Sequence, residues 1–397
     1  MKAVGITAEY NPFHNGHRYQ IAEAKRLSGA DKAVVIMSGS FVQRGEPACA
    51  DKFTRTEWAL DGGADMVIEL PDVFALSCAE RFASGAIRIM RGTGIIDSVC
   101  FGSETGSIDE LKEAALRSED AEKLAEALKS GLSYPAALAE STGSSPAPND
   151  ILGMEYVRAA DKYFPEARLF CVKRRGGSYS GTELSGEFSS ASAIRNAVSA
   201  IQANCGLYEK LAEAVPAAVL EELVDGRSGR SDIATFDGLS DAVLCRIRSM
   251  SKNELAALPE IAEGLENLFA ERSLISNSAR ELLMRVKSKR YTMARLKRIA
   301  MNALLGITAE LQYAASVNDE ALYVRVLGIG KDSEEMLSEL NKKARLPVIV
   351  RSSDRDKLGG LAGRVEAVSS LAHRIRALGQ SDDKTVSPDA SHRLIVR

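Results

Sequence analysis

The sequence predicts an α/β protein in which a parallel sheet, covered by helices on both faces, is followed by a helical region and a small mixed α/β lobe. Short apolar runs typical of strands alternate with helical patterns up to about residue 195. After Asn196 the helical patterns follow one another until two late strand-like runs appear. The length of 397 residues leaves room for two or three domains, each with its own core.

Five apolar runs are predicted to be strands of the sheet, and they lie at 3–7, 32–37, 66–70, 98–102 and 169–173. Helical patterns between them occupy 54–61 and 78–91. Because strand and helix alternate, the sheet is expected to be parallel and buried on both faces. Ligands of such sheets bind at the carboxyl ends of the strands, so a site is expected where the first strand ends.

The rest of the chain is predicted to be mostly helical, with helical patterns over about 205–320. Two late strands are predicted at 322–327 and 346–350, and the segment 380–392 is polar. The expected domains are an α/β domain at 1–197, a helical domain at 198–320, a small mixed α/β lobe at 321–379 and a flexible tail at 380–397.

The composition is that of an ordinary soluble protein, with 45% apolar residues, 26% charged residues and a net charge of −3. No apolar run approaches the ~18 residues needed to cross a membrane, and the N-terminus lacks a signal-peptide pattern. The six cysteines are scattered without a CxxC pair. We therefore expect reduced thiols, a cytoplasmic protein and no metal site.

The most informative residues are His14 and His17, two of only four histidines, which flank Gly16 between the first strand and a helical pattern. A helix N-terminus offers free amides to an anion, glycine lets the backbone approach it, and each imidazole can donate a hydrogen bond. The pattern predicts a polyphosphate site, although two turn histidines could simply cap the helix. This H-x-G-H turn resembles the signature of the nucleotidyltransferase superfamily, whose members attack the α-phosphate of a nucleoside triphosphate and release pyrophosphate.

A second motif lies at 188–195 and resembles the other signature of that superfamily, near the end of the nucleotide domain. Ser189 and Ser190 are placed to cap a helix, and their hydroxyls and the first-turn amides can hold β- and γ-phosphate oxygens. Arg195, about one turn further on, can add a charge-assisted contact to the same phosphates. The alternative is an ordinary serine cap followed by a surface arginine.

Catalysis at such a site depends on where charge develops. In-line attack at the α-phosphate builds negative charge on its equatorial oxygens and on the leaving pyrophosphate, so fixed donors placed there lower the barrier. We assign this role to His14 and His17, assisted by Thr7 and by backbone amides of the turn. Because no clustered carboxylates suggest a dedicated metal cage, Mg²⁺ is expected to arrive with ATP.

Six longer runs are more specific than the phosphate motifs. They are AEYNPFHNGH at 8–17, MSGSFVQRGEPA at 37–48, GADMVIELP at 63–71, FGSE at 101–104, PNDILGMEY at 148–156 and KSKRYT at 287–292. Together they closely resemble the bacterial tRNA(Met) cytidine acetate ligases, over the chain to about residue 350. The resemblance implies a Rossmann-like nucleotidyltransferase domain that activates acetate with ATP to acetyl-adenylate. The acetyl group then passes to N4 of the wobble cytidine, nucleotide 34, of elongator tRNA(Met).

The resemblance also implies which residues bind ATP, with the loop extended by one residue at its strand end. They are Ile6, Thr7, Ala8, Glu9, Tyr10, Asn11, Pro12, Phe13, His14, Asn15, Gly16, His17, Arg18, Tyr19, Gln20, Gly102, Asn149 and Arg174. Gly102 could let adenine or ribose lie against the backbone, Asn149 could read a polar edge, and Arg174 could hold phosphates or the adenylate. A plain turn, a helix cap and a solvated surface are the respective alternatives.

A basic tract from Arg285 to Arg298 holds seven basic residues and no acidic one. Basic side chains with an aromatic ring among them are typical of an RNA-binding surface. The alternative is a solvated helix face, but the tract itself contains no acidic residue that could offset the repulsion. The predicted RNA-binding residues are Lys287, Lys289, Arg290, Tyr291, Arg295 and Arg298.

The favoured interpretation is an ATP-dependent ligase that acts on acetate and elongator tRNA(Met), without a membrane or an obligate protein partner. A nucleotidyltransferase that makes a nucleotide-linked metabolite would share both phosphate motifs. The C-terminal region of about 200 residues is excess for such an enzyme but reasonable for gripping tRNA. A third class is a non-catalytic RNA-binding protein with the same fold, and the intact histidine pair and serine–arginine motif argue against it.

Overall fold

A computed structural model of the chain describes residues 2–116, 147–176, 183–201, 206–224 and 233–397, and a few positions between 123 and 140. Within these residues the central element is a mostly parallel sheet of eight strands, accompanied by a two-stranded hairpin. The strands are β1 (Ala3–Ala8), β2 (Lys32–Ser38), β3 (Phe41–Val42), β4 (Glu46–Pro47), β5 (Met66–Leu70), β6 (Ser98–Ser103), β7 (Arg168–Lys173), β8 (Val324–Ile329), β9 (Val348–Ile349) and β10 (Ile395–Val396).

The sheet has the strand order β10-β8-β5-β2-β1-β6-β7, and β9 also pairs with β8. The interior strand β1 runs parallel to β2, from Ala3 opposite Lys32 to Ala8 opposite Met37, and parallel to β6 on its other side. The strands β3 and β4 form the separate antiparallel hairpin. The carboxyl ends of β1, β2 and β6 therefore meet at one edge of the sheet, as a parallel arrangement requires.

Helices connect the strands and make up most of the second half of the described chain. They are α1 (Asn15–Ser28), α2 (Lys52–Asp61), α3 (Asp72–Ala75), α4 (Ala79–Thr93), α5 (Ile108–Leu116), α6 (Pro148–Tyr163), α7 (Ala191–Ala200), α8 (Leu207–Ala214), α9 (Ala217–Val224), α10 (Ser240–Ser249), α11 (Lys252–Ala256), α12 (Leu265–Leu274), α13 (Ala279–Val286), α14 (Met293–Leu305), α15 (Ala309–Val317), α16 (Glu334–Lys343) and α17 (Gly360–Ala377).

Each face of the sheet has an apolar core of its own. On what we call the first face, α1, α2 and α7 contribute buried side chains such as Ile21, Trp58 and Ile194. On the second face, α4 and α6 contribute Met90 and Val157, and the later helices α10 to α15 share this core. Because successive side chains of a strand point to opposite faces, the end of one strand supplies residues to both sides of the sheet.

The predicted fold class is confirmed. The five predicted strands are present as β1, β2, β5, β6 and β7, each within one residue of its predicted span at either end. The predicted helices at 54–61 and 78–91 are α2 and α4, shifted by one or two residues. Strong apolar runs flanked by helical patterns were sufficient to indicate this part of the fold.

The late strands differ from the prediction of a separate small lobe at 321–379. The strand β8 pairs antiparallel with β5, Met66 lying opposite Ile329, and so extends the central sheet. All six residues of β8 are buried, so the strand needs cover on both faces, which a place in the central sheet supplies. The sequence gives no sign of this pairing because most of the chain lies between the two strands.

Part of the segment expected to be a flexible tail, 380–397, is packed against the rest of the protein. Asp389 is buried, and its carboxylate lies 3.0 Å from the Lys52 ammonium and 2.6 Å from the Arg325 guanidinium. Residues Ile395–Val396 form β10 beside β8. The expected domain boundaries at 197 and 320 stay predictions.

None of the helices in the described ranges has the length and apolar character that a bilayer crossing would require. Five cysteines are free thiols, and the sixth, Cys205, lies outside the described residues.

Candidate active site

A cleft opens at the carboxyl edge of the sheet, where the first strand was expected to contribute a site. It encloses about 1080 Å³, including space open to solvent. Its floor comes from the ends of β1 and β6, and its walls come from α1, α6, α7 and the β3–β4 hairpin. The lining residues are Thr7, Ala8, Glu9, Tyr10, Asn11, His14, His17, Gln20, Val42, Gln43, Arg44, Glu46, Phe82, Phe101, Gly102, Asn149, Leu152, Tyr156, Arg174, Ser190, Ala191, Ser192 and Arg195.

His14 and His17 cap α1 and also line the cleft, so the capping interpretation is right and the polyphosphate site stays a prediction. The His14 Nδ1 accepts a hydrogen bond from the Gly16 N–H at 3.1 Å, and the His17 Nδ1 accepts one from the His14 N–H at 3.3 Å. Since each Nδ1 is an acceptor, the proton of each neutral ring is assigned to Nε2. Both rings can therefore donate a hydrogen bond from Nε2.

The histidine pair is held in the neutral form. Burial and the Arg174 guanidinium lower the pKa of His14 to about 3. Burial, the neighbouring His14 and Arg174 lower the pKa of His17 well below its ordinary value of 6.5. At neutral pH the site therefore presents two uncharged hydrogen-bond donors beside an arginine, an arrangement that suits a phosphate oxygen.

Aromatic packing fixes the position of this turn. Tyr10 is buried with its ring centroid 4.9 Å from Phe13 and 4.8 Å from His17, in edge contacts. Phe13 is fully buried in the core of the first face. The His17 ring is thereby confined between Tyr10 and His14, so little rearrangement is needed when a ligand enters.

The second motif meets the first across the cleft. Ser190 caps α7 by accepting a hydrogen bond from the Ala193 N–H at 3.1 Å, which leaves the first-turn amides of α7 at the cleft. The Arg195 guanidinium donates to the Asn11 carbonyl at 2.5 Å and lies 3.5 Å from the Glu46 carboxylate. Arg195 thus contacts the histidine turn directly, and its predicted contact with the phosphates stays a prediction.

Ser189 differs from its predicted role. Its hydroxyl donates to the Gly186 carbonyl at 2.7 Å and accepts from the Ser185 N–H at 2.9 Å, and the residue is buried away from the cleft lining. Both hydrogen bonds are local to the loop before α7. Ser189 therefore shapes this loop, while Ser190, Ala191 and Ser192 face the cleft.

Gly102, Asn149 and Arg174 all line the cleft, as the resemblance implied. A Cβ built on Gly102 would lie 3.7 Å from both Arg174 and Gln20, which is ordinary contact. Protein packing therefore does not require glycine there, and a ligand lying against the backbone would explain it. The Asn149 amide donates to the Glu104 carboxylate at 2.5 Å, so its orientation is fixed.

The remaining residues of the predicted ATP loop have supporting positions. Ile6 and Phe13 are buried in the core, Arg18 is exposed, and the Asn15 amide donates to the Glu213 carbonyl at 2.8 Å. Pro12, Gly16 and Tyr19 are likewise not among the lining residues. The predicted loop includes these residues because it was assigned as one continuous run. In a helix or a strand, some side chains of any such run point away from the cleft.

Two groups of lining residues were missed by the sequence reasoning. The hairpin supplies Val42, Gln43, Arg44 and Glu46, and the Gln43 N–H donates to the Glu9 carboxylate at 2.8 Å. The second face of the sheet supplies Phe82, Phe101, Leu152 and Tyr156. The run at 37–48 was a signal for the hairpin, whereas apolar residues that line a cleft have the same pattern as core residues.

Several basic side chains of the basic tract form ion pairs within the protein, which the sequence did not indicate. Arg298 forms a double contact of 2.6 Å with the Glu260 carboxylate, Arg290 pairs with Glu263, and Lys297 pairs with Glu46. Acidic partners distant in sequence thus offset part of its charge.

Two other predicted RNA-binding residues of the tract are also engaged within the protein. Tyr291 is buried beneath the Arg295 guanidinium, 4.9 Å from its ring centroid, and so is not placed to stack on a base. Arg295 in turn donates to the Glu260 carbonyl at 2.7 Å. Lys287 and Lys289 are exposed and remain the best placed to meet an RNA backbone.

Across the residues that the structure describes, no group of three or more histidine, cysteine or acidic side chains is placed to hold a metal ion. The donors of the cleft are neutral imidazoles, arginines, hydroxyls, side-chain amides and helix amides, and the carboxyl groups of Glu9 and Glu46 also line it. Glu9 accepts from the Gln43 N–H, and Glu46 pairs with Arg195 and Lys297. The donors fit a polyphosphate.

The fold and the site together define a nucleotidyltransferase of the H-x-G-H class, and the HIGH Nucleotidyl Transferase family matches residues 1–385 of the chain. The tRNA(Met) cytidine acetate ligase of Acetivibrio thermocellus is 37% identical over 371 residues, 89% of each chain. The protein of the same name from a Thermoanaerobacter species is 38% identical, covering 90% of this chain and 91% of its own. The chain belongs to the tRNA(Met) cytidine acetate ligase family, so the family resemblance is confirmed.

Solved structures agree with this assignment. The apo crystal structure of Thermotoga maritima TmcAL superposes with a TM-score of 0.89 at 32% identity, covering 100% of both chains. The crystal structure of the same protein bound with alpha-thio ATP gives a TM-score of 0.87 at 31% identity, again over 100% of both chains.

Proposed function

We propose that this protein is an ATP-dependent acetate ligase that acetylates N4 of the wobble cytidine, nucleotide 34, of elongator tRNA(Met). The products are N4-acetylcytidine, AMP and diphosphate. The observation that carries the proposal is the pair of neutral imidazole donors at the start of α1, opposite Arg195, in a chain whose relatives are named for this reaction. The alpha-thio ATP complex of the Thermotoga maritima protein supports ATP as the nucleotide.

In the first step a carboxylate oxygen of acetate attacks the α-phosphorus of ATP. The new P–O bond forms while the bond to the bridging oxygen breaks, and diphosphate leaves with the electron pair. The Nε2–H groups of His14 and His17 donate to the α-phosphate oxygens on which charge builds, and Thr7 lines the same cleft. Arg195 and the first-turn amides of α7 hold the departing diphosphate. The product is acetyl-adenylate.

In the second step N4 of the cytidine attacks the acetyl carbonyl carbon. The bond from that carbon to the adenylate oxygen breaks, AMP leaves, and N4 loses one proton. For this attack the base must leave its stack and enter the cleft, which favours recognition of an unpaired anticodon nucleotide. Exposed Lys287 and Lys289 support contacts to the tRNA backbone outside the cleft.

Mg²⁺ is expected to arrive with the triphosphate and to neutralise part of its charge. The donors of the cleft fit this, since they can bind phosphate oxygens directly and leave the remaining oxygens for the ion. A ligase with tRNA as its substrate is expected to work in the cytoplasm, without an obligate protein partner.

The test is to incubate the protein with labelled acetate and ATP, with and without elongator tRNA(Met). We expect acetate-dependent release of diphosphate and AMP, and acetylated cytidine in the tRNA. Diphosphate release that requires a phosphorylated metabolite instead of acetate would point to the alternative function, a nucleotidyltransferase that makes a nucleotide-linked metabolite. Binding of tRNA without any turnover would point to a non-catalytic RNA-binding protein.

A further inference from the structure

The cleft extends over both faces of the sheet, because side chains at the end of β1 alternate. Ile6 is buried in the core of the first face, whereas a Cβ on Gly5 would lie 2.7 Å from the Met90 sulfur of α4, on the second face. Thr7, two residues after Gly5, therefore points to the second face as well. The Thr7 side chain thus lies on the face of the sheet that packs against α4 and α6. The proposed phosphate-binding elements α1 and α7 lie on the other face.

On the second face the cleft is bounded by four large side chains, which we call the apolar wall. They are Phe82 of α4, Phe101 of β6, and Leu152 and Tyr156 of α6. The rings of Phe101 and Tyr156 are 5.2 Å apart, and Phe82 and Tyr156 are almost completely buried. Leu152 is half-buried, so its side chain is the part of the wall that a substitution can shorten with the least disturbance of the core.

Two hydroxyls lie at the inner end of the apolar wall. Burial raises the pKa of Tyr156, so its phenol stays protonated and can donate, and the nearby Thr7 hydroxyl opposes this rise. The Thr7 oxygen is shielded from solvent, and apart from the Tyr156 hydroxyl no group in the described part of the chain is placed to share a hydrogen bond with it. Two buried hydroxyls that satisfy only each other leave hydrogen-bonding capacity that a ligand can use.

In an in-line displacement the leaving diphosphate and the attacking acetate lie on opposite sides of the α-phosphorus, and so toward different faces of the sheet. The diphosphate leaves toward Arg195 and the start of α7, and α7 packs on the first face through Ile194. The attacking carboxylate must approach the α-phosphorus from the opposite side. From the histidine pair, the opposite side is the second face, where the apolar wall and the two hydroxyls are found.

We propose that the apolar wall binds the methyl group of acetate while the hydroxyls of Thr7 and Tyr156 donate to its carboxylate. This inference rests on the proposed function and adds the acid-binding residues to it. The acetate is held with one carboxylate oxygen directed at the α-phosphorus, and that oxygen forms the bond that displaces diphosphate. The wall also limits the size of the acid, because a longer chain would press on four large side chains.

The test uses the full-length protein with ATP and elongator tRNA(Met), and measures acid-dependent AMP formation with acetate and with propionate. Leu152→Ala should raise the ratio of kcat/KM for propionate to that for acetate by about tenfold, the usual scale for one methylene in a tight pocket. Tyr156→Phe should raise KM for acetate roughly tenfold and leave KM for ATP unchanged, since it removes one donor to a charged group. Ile151→Ala is the matched control, because Ile151 is its neighbour on α6 and packs outside the cleft.

The outcomes distinguish a failure of the proposed function from a failure of the acid-binding inference. If the unchanged protein forms no AMP with acetate, the proposed function fails. A second outcome is that the unchanged protein is active but Leu152→Ala does not alter the ratio of kcat/KM for propionate to that for acetate, and instead raises KM for ATP or for tRNA. The apolar wall would then bind adenine or the cytosine, and the acid-binding inference would be overturned. An equal change of the ratio in Ile151→Ala would also overturn it, because the effect would then come from loosening α6.

Discussion

The imidazole rings of His14 and His17 stack with their centroids 3.7 Å apart, and the His14 backbone N–H donates to the His17 Nδ1. The same two residues close the first turn of α1 by reciprocal capping. Capping uses both Nδ1 atoms and so commits both Nε2 atoms to the cleft. Helix formation and the placement of two hydrogen-bond donors at the cleft are therefore achieved by one set of contacts.

The variant His14→Asn is expected to keep the N-cap of α1 and to remove the Nε2–H donor from the cleft. Asparagine is a good N-cap residue, so α1 should form as before, but the Nε2–H is lost from the cleft. We expect acetate-dependent AMP formation to fall about 10²–10³-fold, as for removal of one transition-state donor. Circular dichroism and the melting temperature are the controls. A loss of activity below about fivefold would mean that His14 serves α1 alone.

Acid should destabilise the protein through the same pair. The pKa of His14 falls from 6.5 to about 3 on folding, so between these values the unfolded state binds a proton that the folded state does not. The free energy of unfolding should therefore decrease as pH falls from 6.5 toward 3, by up to about 1.4 kcal/mol per pH unit for this group.

Urea unfolding at pH 7 and pH 5 measures this dependence, with His14→Asn as the comparison. The variant should show a shallower decrease between the two pH values, since one of the groups responsible is missing. Identical decreases would show that His14 is not protonated on unfolding over this range.

Local sequence was enough to predict the sheet strands of the first half, α1 and two motifs that meet at the cleft, because each depends on residues close together in the chain. The place of β8 beside β5 and the burial of Asp389 depend on contacts across most of the chain, for which no pattern exists. The same limit explains the basic tract. Its acidic partners Glu260 and Glu46 lie outside it, so only the folded chain brings them to Arg298 and Lys297.

Gly102→Ala should affect ATP binding and spare the fold. The added methyl group would meet Arg174 and Gln20 only at 3.7 Å, so the protein has room for it, but it would occupy the cleft floor. We expect KM for ATP to rise and the melting temperature to stay unchanged. Gly85→Ala is the contrasting control, because its Cβ would lie 2.6 Å from the Phe74 ring and should lower the melting temperature. Unchanged KM for ATP in Gly102→Ala would place the nucleotide away from this strand end.

Arg298 and Lys289 should behave differently although both belong to the basic tract. Arg298 and its partner Glu260 are largely shielded from solvent, so Arg298→Ala leaves a carboxylate without its cation. Removing one member of such a pair costs about 3–5 kcal/mol of stability. Lys289 is exposed, and Lys289→Ala should leave the urea midpoint unchanged. Equal midpoints for the two variants would contradict a structural role for Arg298.

Reversing the charge of the two exposed lysines should weaken tRNA binding without disturbing the chemistry of adenylation. In the double variant Lys287→Glu, Lys289→Glu, each lost phosphate contact lowers the slope of log affinity against log salt by about one. We expect a higher Kd for elongator tRNA(Met), a slope reduced by about two, and unchanged KM values for ATP and acetate. Lys342→Glu with Lys343→Glu on α16 makes the same change in net charge at exposed positions elsewhere and is the matched control. Equal weakening by the two double variants would mean that net charge, and not this part of the basic tract, determines tRNA affinity.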